Sequence, residues 1–306
     1  MKTKQAMKAL AVLIPVAFIL YFWLASFLLF SGGAIAATYW DVNATVNVTN
    51  VASNVTLVTV DDNTPSPPNQ IDLTAGGTTT VYCNGTINDT NGYADIASAS
   101  AKLYDNVSAT ATSADNNETH YTNGSCSLDV GSGITRNAVC AFSLLYYSNN
   151  QSWICNITAL DLDSASSSGV DGTAVNLLLA LNISNNIINY GNLAPDETSA
   201  SGATENITNH GNTQIDLKLN GTNMACSSVG SINVERQRYN VTGTDEAYAT
   251  LKNLTGTAAT TTTFDLVKRT DALGQDSKRV TYWRIQVPLG VKGRCDGNVT
   301  FAAIAG

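Results

Sequence analysis

The chain has 306 residues, of which 13% are charged and 44% apolar, against about 25% charged in an ordinary soluble domain. Asn, Thr, Ser and Gly take the place of the missing charges, so the surface is polar but neutral, while the apolar fraction is enough for a core in each of two domains and excludes wholesale disorder. The 16 Lys and Arg against 24 Asp and Glu form no cluster larger than Lys268-Arg269 and Lys278-Arg279, which leaves no basic stripe for nucleic acid.

Lys2, Lys4 and Lys8 precede an apolar run from Ala9 to Phe30, followed by Ser31-Gly32-Gly33 and Ala34-Ile35-Ala36. Over residues 1–36 this is the order of a signal peptide: charged start, apolar middle, small-x-small cleavage site. The run of 22 residues is also long enough to cross a bilayer as a helix, so a cleaved signal and a retained N-terminal membrane anchor both remain open. No Lys or Arg follows it until Lys102, and the positive-inside rule puts everything downstream outside the cell, N-in and C-out.

Residues 38–62 read as one or two strands. Val42, Ala44, Val46 and Val48 alternate with Asn43, Thr45, Asn47 and Thr49, a period of two that gives an apolar face and a polar one. Pro65, Pro67 and Pro68 then mark a linker over 63–70. From 71 to 163 the alternation continues through Val81, Cys83 and Ile87, through Ala97, Ala99, Ala101 and Leu103, and through Cys140, Phe142, Leu144 and Tyr146. The Ser-rich, Gly-containing stretch 164–175 reads as an interdomain linker. Over 176–306 the strands resume, opened by Leu177, Leu179, Leu181 and Ile183 and continued by Ile215, Leu217 and Leu219, by Trp283, Ile285 and Val287, and by Val299 and Phe301.

Four of the six cysteines fall in the first domain, at 83, 126, 140 and 155, and two in the second, at 226 and 295. Even numbers in each half fit disulfides within domains in an oxidising compartment. Cys83 on an early strand and Cys155 on a late one, with Trp153 two residues before it, resemble the inter-sheet bridge of immunoglobulin-like sandwiches. The expected pairs are Cys83 with Cys155, Cys126 with Cys140 across a local hairpin, and Cys226 with Cys295. Zinc fails as a rival, because no C-x-x-C pair is present.

Asn-x-Ser/Thr occurs at Asn43, Asn47, Asn54, Asn84, Asn88, Asn106, Asn117, Asn123, Asn150, Asn156, Asn182, Asn206, Asn220, Asn240, Asn253 and Asn298, more than twice what chance pairing would produce. Many lie opposite an apolar neighbour in a strand, on the face where an N-linked glycan has room. The competing reading is that Asn and Thr are simply common in turns and on exposed strand faces.

The segments VYCNGTINDTNGYADI (81–96), HYTNGSC (120–126) and WICNITALD (153–161) resemble the Ig-like repeats of archaeal envelope glycoproteins over about 90 residues. INYGNLAPDE (188–197) and NITNHGN (206–212) are similar, over a short stretch, to secreted camelysin-like and biofilm-fibre proteins. Some of those fibre proteins polymerise by lending an N-terminal strand to the next subunit, which implies that the apolar-faced segment 40–60 is a donor strand for self-assembly. No protease motif of that family is present, so no activity transfers.

Candidate chemistry is sparse. His120 and His210 are isolated from each other, no G-x-S-x-G elbow occurs, and all six thiols have plausible partners. Asp89, Asn91 and Asp95 of DTNGYAD, with Gly92 permitting a turn, offer oxygen ligands like part of a calcium loop, without the closing Glu of an EF-hand. Asp161 and Asp163 would complete such a site if their strand end lies close. An Asx turn between strands is the plainer reading. Tyr146, Tyr147 and Trp283 suggest a sugar-stacking surface, although aromatic residues on alternating strands are more often core.

The sequence thus predicts an all-β protein, with two consecutive Ig-like or jelly-roll-type β-sandwich domains after an N-terminal apolar helix. It reads as a non-enzymatic extracellular structural glycoprotein of the envelope or of a surface filament, without a cofactor unless structural calcium binds. The alternatives are a membrane-anchored adhesin or ligand-binding ectodomain, and a pilin-like subunit assembled through the apolar helix.

Overall fold

The structure, a computed structural model, describes residues 40–63 and 69–306. The chain divides into two compact units, Met1–Thr49 and Asn50–Gly306. In the first, residues 40–49 belong to no helix or strand, and Trp40, Val42, Val46 and Val48 are each at least 80% exposed. The apolar run at 9–30, the cleavage site near Ala36 and most of the Pro-rich linker fall outside the described residues. Among those described, no helix is long and apolar enough to cross a membrane.

The second unit is all-β and contains two sandwiches. The first is built from β1 (Asn54–Asp61), β2 (Gln70–Ile71), β3 (Thr78–Asn88), β4 (Ile96–Asp105), β5 (His120–Asn123), β6 (Ser127–Leu128), β7 (Thr135–Leu145), β8 (Ser152–Asp161) and β9 (Ser166–Val175). They form a four-stranded sheet of order β1-β3-β7-β6 facing a five-stranded sheet of order β2-β9-β8-β4-β5. The pairings are antiparallel except that of β2 with β9. Alternation fixes which residues turn inward: Val81, Cys83 and Ile87 of β3, Ala138, Cys140, Phe142 and Leu144 of β7, and Trp153, Cys155 and Ile157 of β8 make one buried cluster. Trp153 satisfies its ring N–H by donating to the Asn149 carbonyl at 2.8 Å.

Residues 164–175 are not a linker: Ser166–Val175 is β9, paired along its length with β8, so the first sandwich runs on to Val175. The expected strand over 38–62 begins only at Asn54, and β1 pairs within its own chain with β3. In β4 a bulge between Ile96 and Ser98 resets the phase, so Ile96 is buried and Ala97 exposed.

The second sandwich comprises β10 (Leu181–Ile183), β11 (Ala203–Asn209), β12 (Ile215–Gly221), β13 (Met224–Cys226), β14 (Ser231–Ile232), β15 (Gln237–Asn240), β16 (Lys252–Asn253), β17 (Ala259–Leu266), β18 (Lys278–Ile285), β19 (Cys295–Asp296) and β20 (Val299–Ala305). A five-stranded sheet, β10-β11-β18-β15-β16, lies over a three-stranded one, β17-β12-β20, with a small β14-β13-β19 sheet beside them. Trp283, Phe264, Leu217 and Ile207 are fully buried at its centre. Leu177 and Leu179, expected to open its first strand, are exposed coil.

The three disulfides join Cys83 to Cys155, Cys126 to Cys140 and Cys226 to Cys295. The first ties β3 to β8 and so links the two sheets of the first sandwich. The second anchors the chain as it crosses from β5 to β6, and the third links directly opposed residues of β13 and β19. Cys83 and Cys140 face each other across the β3–β7 register, yet each bonds elsewhere. With no free cysteine, the bonds point to an extracellular location.

Candidate functional site

Two places concentrate unsatisfied chemistry. The first is one end of the first sandwich. The inward phase of β3 (Val81, Cys83, Gly85, Ile87) runs one step further to Asp89, and that of β8 (Trp153, Cys155, Ile157, Ala159) runs to Asp161, so each apolar row ends in a carboxylate only 1% exposed. Gly92, at φ 115°, turns the chain into a short 3₁₀ turn at Tyr93–Asp95, which delivers Asp95. Ligand oxygens of Asp89, Asp95 and Asp161 all lie within 4.8 Å of one another.

Asp161 is well held. It accepts from Asn50 Nδ2 at 2.9 Å and from the Ala165 N–H at 2.7 Å, and the Asn50 bond in particular keeps its carboxyl below the usual range. Asp89 Oδ1 accepts from the Asn91 N–H at 2.8 Å, but Asp89 Oδ2 and Asp95 Oδ2 are buried with no hydrogen-bond partner in the protein. Loss of water, then the charges of Asp89, Asp161 and Asp163, push the Asp95 carboxyl above its ordinary range. Asn91 Oδ1 instead receives the Val51 N–H at 2.8 Å. Nothing in the sequence around Asn50 marks it as the partner of a residue 111 positions away.

The second place is the open side of the second sandwich. Strands β10 and β20 are edges of the two main sheets, and Leu181, Ile183, Ile188, Tyr190, Val299 and Phe301 between them are only partly buried. A cleft of about 280 Å³ opens here against Ile183, Val299 and Phe301, and it adjoins a larger one of about 1010 Å³ beside the small β14-β13-β19 sheet, against Met224, Ile232 and Cys295. Glu205 and Gln237 line the smaller one. Glu205 is 1% exposed, its Oε1 and Gln237 Nε2 have no partner, and burial raises the Glu205 carboxyl despite one bond from the Asn185 N–H. The only sequence signal for this buried acid is its phase, since Glu205 shares the inward register of Ile207 in β11.

Of the sixteen sequon asparagines, eleven are exposed. Asn88, Asn123, Asn156 and Asn220 are half-buried, and Asn240 is buried. The Asn240 amide donates to Thr244 and to Glu246 Oε1 at 2.8 Å, which blocks it as a glycan acceptor in the folded protein.

Tyr146, Tyr147 and Trp283 are at most 3% exposed and offer no surface for sugar. The histidines are separate. His120 is fully buried with Nδ1 2.7 Å from Asp115, and His210 lies 3.7 Å from Asp276.

The sequence matches no protein-family model and no curated protein. Among solved structures, the chain is similar to the C-terminal domain of the antigen I/II-family protein AspA of Streptococcus pyogenes, with a TM-score of 0.24 and 9% identity over 83% of this chain and 99% of that one. The archaeal-envelope and camelysin-like resemblances gain no support from these comparisons.

Proposed function

We propose that the protein is a non-enzymatic structural subunit of the cell surface, glycosylated on its outward strand faces, which assembles by seating residues 40–48 of one copy in the open side of the second sandwich of another. The observation that carries this reading is a pair of complementary deficits. An alternating segment holds Trp40, Val42, Val46 and Val48 in water, and elsewhere a core is left half-covered between β10 and β20. Apolar surface of this extent is costly to leave exposed, and an added strand would bury both faces while pairing the open edges. Residues 40–49 extended span about 33 Å, more than β20 needs for its 7 residues. The polar alternates Asn43 and Asn47 would stay outward with their sequons.

Negative-stain electron microscopy of the full chain and of a Val46→Asp, Val48→Asp variant tests it. Filaments or linear oligomers are expected for the first and monomers for the second, with the variant melting at the same temperature as wild type diluted to monomer, because these side chains contribute nothing to the monomer's core. A monodisperse wild-type monomer at high concentration, or a variant that assembles equally well, would falsify the proposal.

A further inference from the structure

We propose that Asp89, Asp95 and Asp161 form a calcium site that fastens the end of the first sandwich where the chain enters it at Asn50–Val51. Such a site would form with or without strand exchange. Three carboxylates with oxygens within 4.8 Å of one another form no ion pair with any Lys, Arg or His among the described residues. Proximity alone would be an acidic cluster; what points to a ligand is Asp89, 1% exposed, whose Oδ2 is buried in that cluster without a partner. A second orphan, Asp95 Oδ2, lies in the same cluster. Leaving a buried carboxylate oxygen unpaired is costly, and a divalent cation is the one partner that answers all three charges together.

The chemistry fits calcium. Its oxygen ligands lie at about 2.3–2.6 Å, so two on opposite sides of the ion are about 5 Å apart, and it tolerates irregular geometry. Magnesium holds its ligands at about 2.0–2.1 Å in a near-ideal octahedron and keeps several waters, which suits a half-closed set of three fixed carboxylates poorly. Asp161 is already oriented by Asn50, and Asn91 holds the Val51 N–H. A bound ion would therefore join the β3–β4 loop, the β8–β9 turn and the first residues ahead of β1.

The test uses the full chain. Differential scanning fluorimetry in millimolar CaCl₂ against EGTA is expected to show a rise of several degrees, with a much smaller one in MgCl₂, and titration calorimetry should give one site per chain. Asp89→Asn, nearly isosteric, should abolish the calcium response while melting in EGTA no lower than wild type, since it relieves repulsion. Should Asp89→Asn fail to fold, the half-buried Asp95→Asn serves in its place. An unchanged wild-type melting temperature in calcium overturns the proposal, as does a variant that still responds. A variant that only melts lower in EGTA would show a structural carboxylate instead.

Discussion

At the scale of single residues, the informative groups are those that break the rule of apolar inside and polar outside. Glu205 sits where β11 should present a hydrocarbon, between the half-buried Ala203 and the fully buried Ile207. Burial raises its carboxyl above the ordinary value of 4.5, so the folded chain binds the proton more tightly than the unfolded chain does. Stability from this group is greatest below pH 4.5 and is lost as pH climbs through the raised value. Glu205→Gln, measured in the unassembled protein, should therefore stabilise by about 1 kcal/mol at neutral pH and flatten the pH dependence above 4.5. Urea titrations at pH 4 and pH 7 would check it; a variant less stable than wild type at pH 7 would mean that the carboxylate has a partner. Asp161 shows the opposite case: it is as buried as Glu205, but its bonds from Asn50 and from backbone N–H groups favour the charged form.

At the scale of elements, the disulfides separate by the loops they close. Cys83–Cys155 spans 72 residues and Cys126–Cys140 spans 14, so chain entropy assigns about 4 kcal/mol to the first and about 3 kcal/mol to the second. Replacing the Cys83–Cys155 pair by alanines should cost about 1 kcal/mol more than replacing Cys126–Cys140; equal losses by denaturant titration would mean that local packing outweighs loop length. How far the sequence discloses such elements depends on burial. Strands with one buried face were legible, because β3, β7 and β8 alternate cleanly. The strand β9 was not: Ser166 to Gly172 contains no fully buried residue, and a β-carbon on Gly169 would come within 2.6 Å of Val55. Its composition is small and polar because β1 packs against it, and small polar residues also make linkers. The β4 bulge was hidden for a different reason: Ile96 and Ala97 are both apolar, so alternation alone could not say which one turned inward. At the candidate site, Asp89 and Asp95 were legible from their turn, while the role of Asn50 depends on a tertiary approach that no local pattern encodes.

At the scale of the molecule, the absence of a linker changes how the two sandwiches should unfold. The chain passes from β9 to β10 in five residues, Asn176 to Ala180, and that crossing is itself tied down: the Leu178 N–H donates to Asn212 Oδ1 at 2.7 Å and Asn212 Nδ2 to the Asn176 carbonyl at 2.9 Å. Lys268 of the second sandwich pairs with Glu118 of the first at 2.9 Å. Asp276 accepts from the Tyr146 hydroxyl at 2.6 Å and pairs with Arg269 at 3.0 Å, and Arg269 in turn lies over the Tyr147 ring. The Tyr146 bond first, and then Arg269, hold the Asp276 carboxyl below its ordinary value of 3.8. The stability it supplies is therefore complete above that value and disappears as pH falls through the depressed one. In a chain this poor in charge, few other ion pairs are present among the described residues to compensate. Calorimetry should accordingly show one transition at pH 7 and two once the pH has fallen well below 3.8. Asp276→Asn, which keeps the shape but weakens both bonds, should cost about 1–2 kcal/mol and bring the split to neutral pH. Two transitions in the wild type at pH 7 would mean that the sandwiches are energetically independent despite the contacts between them.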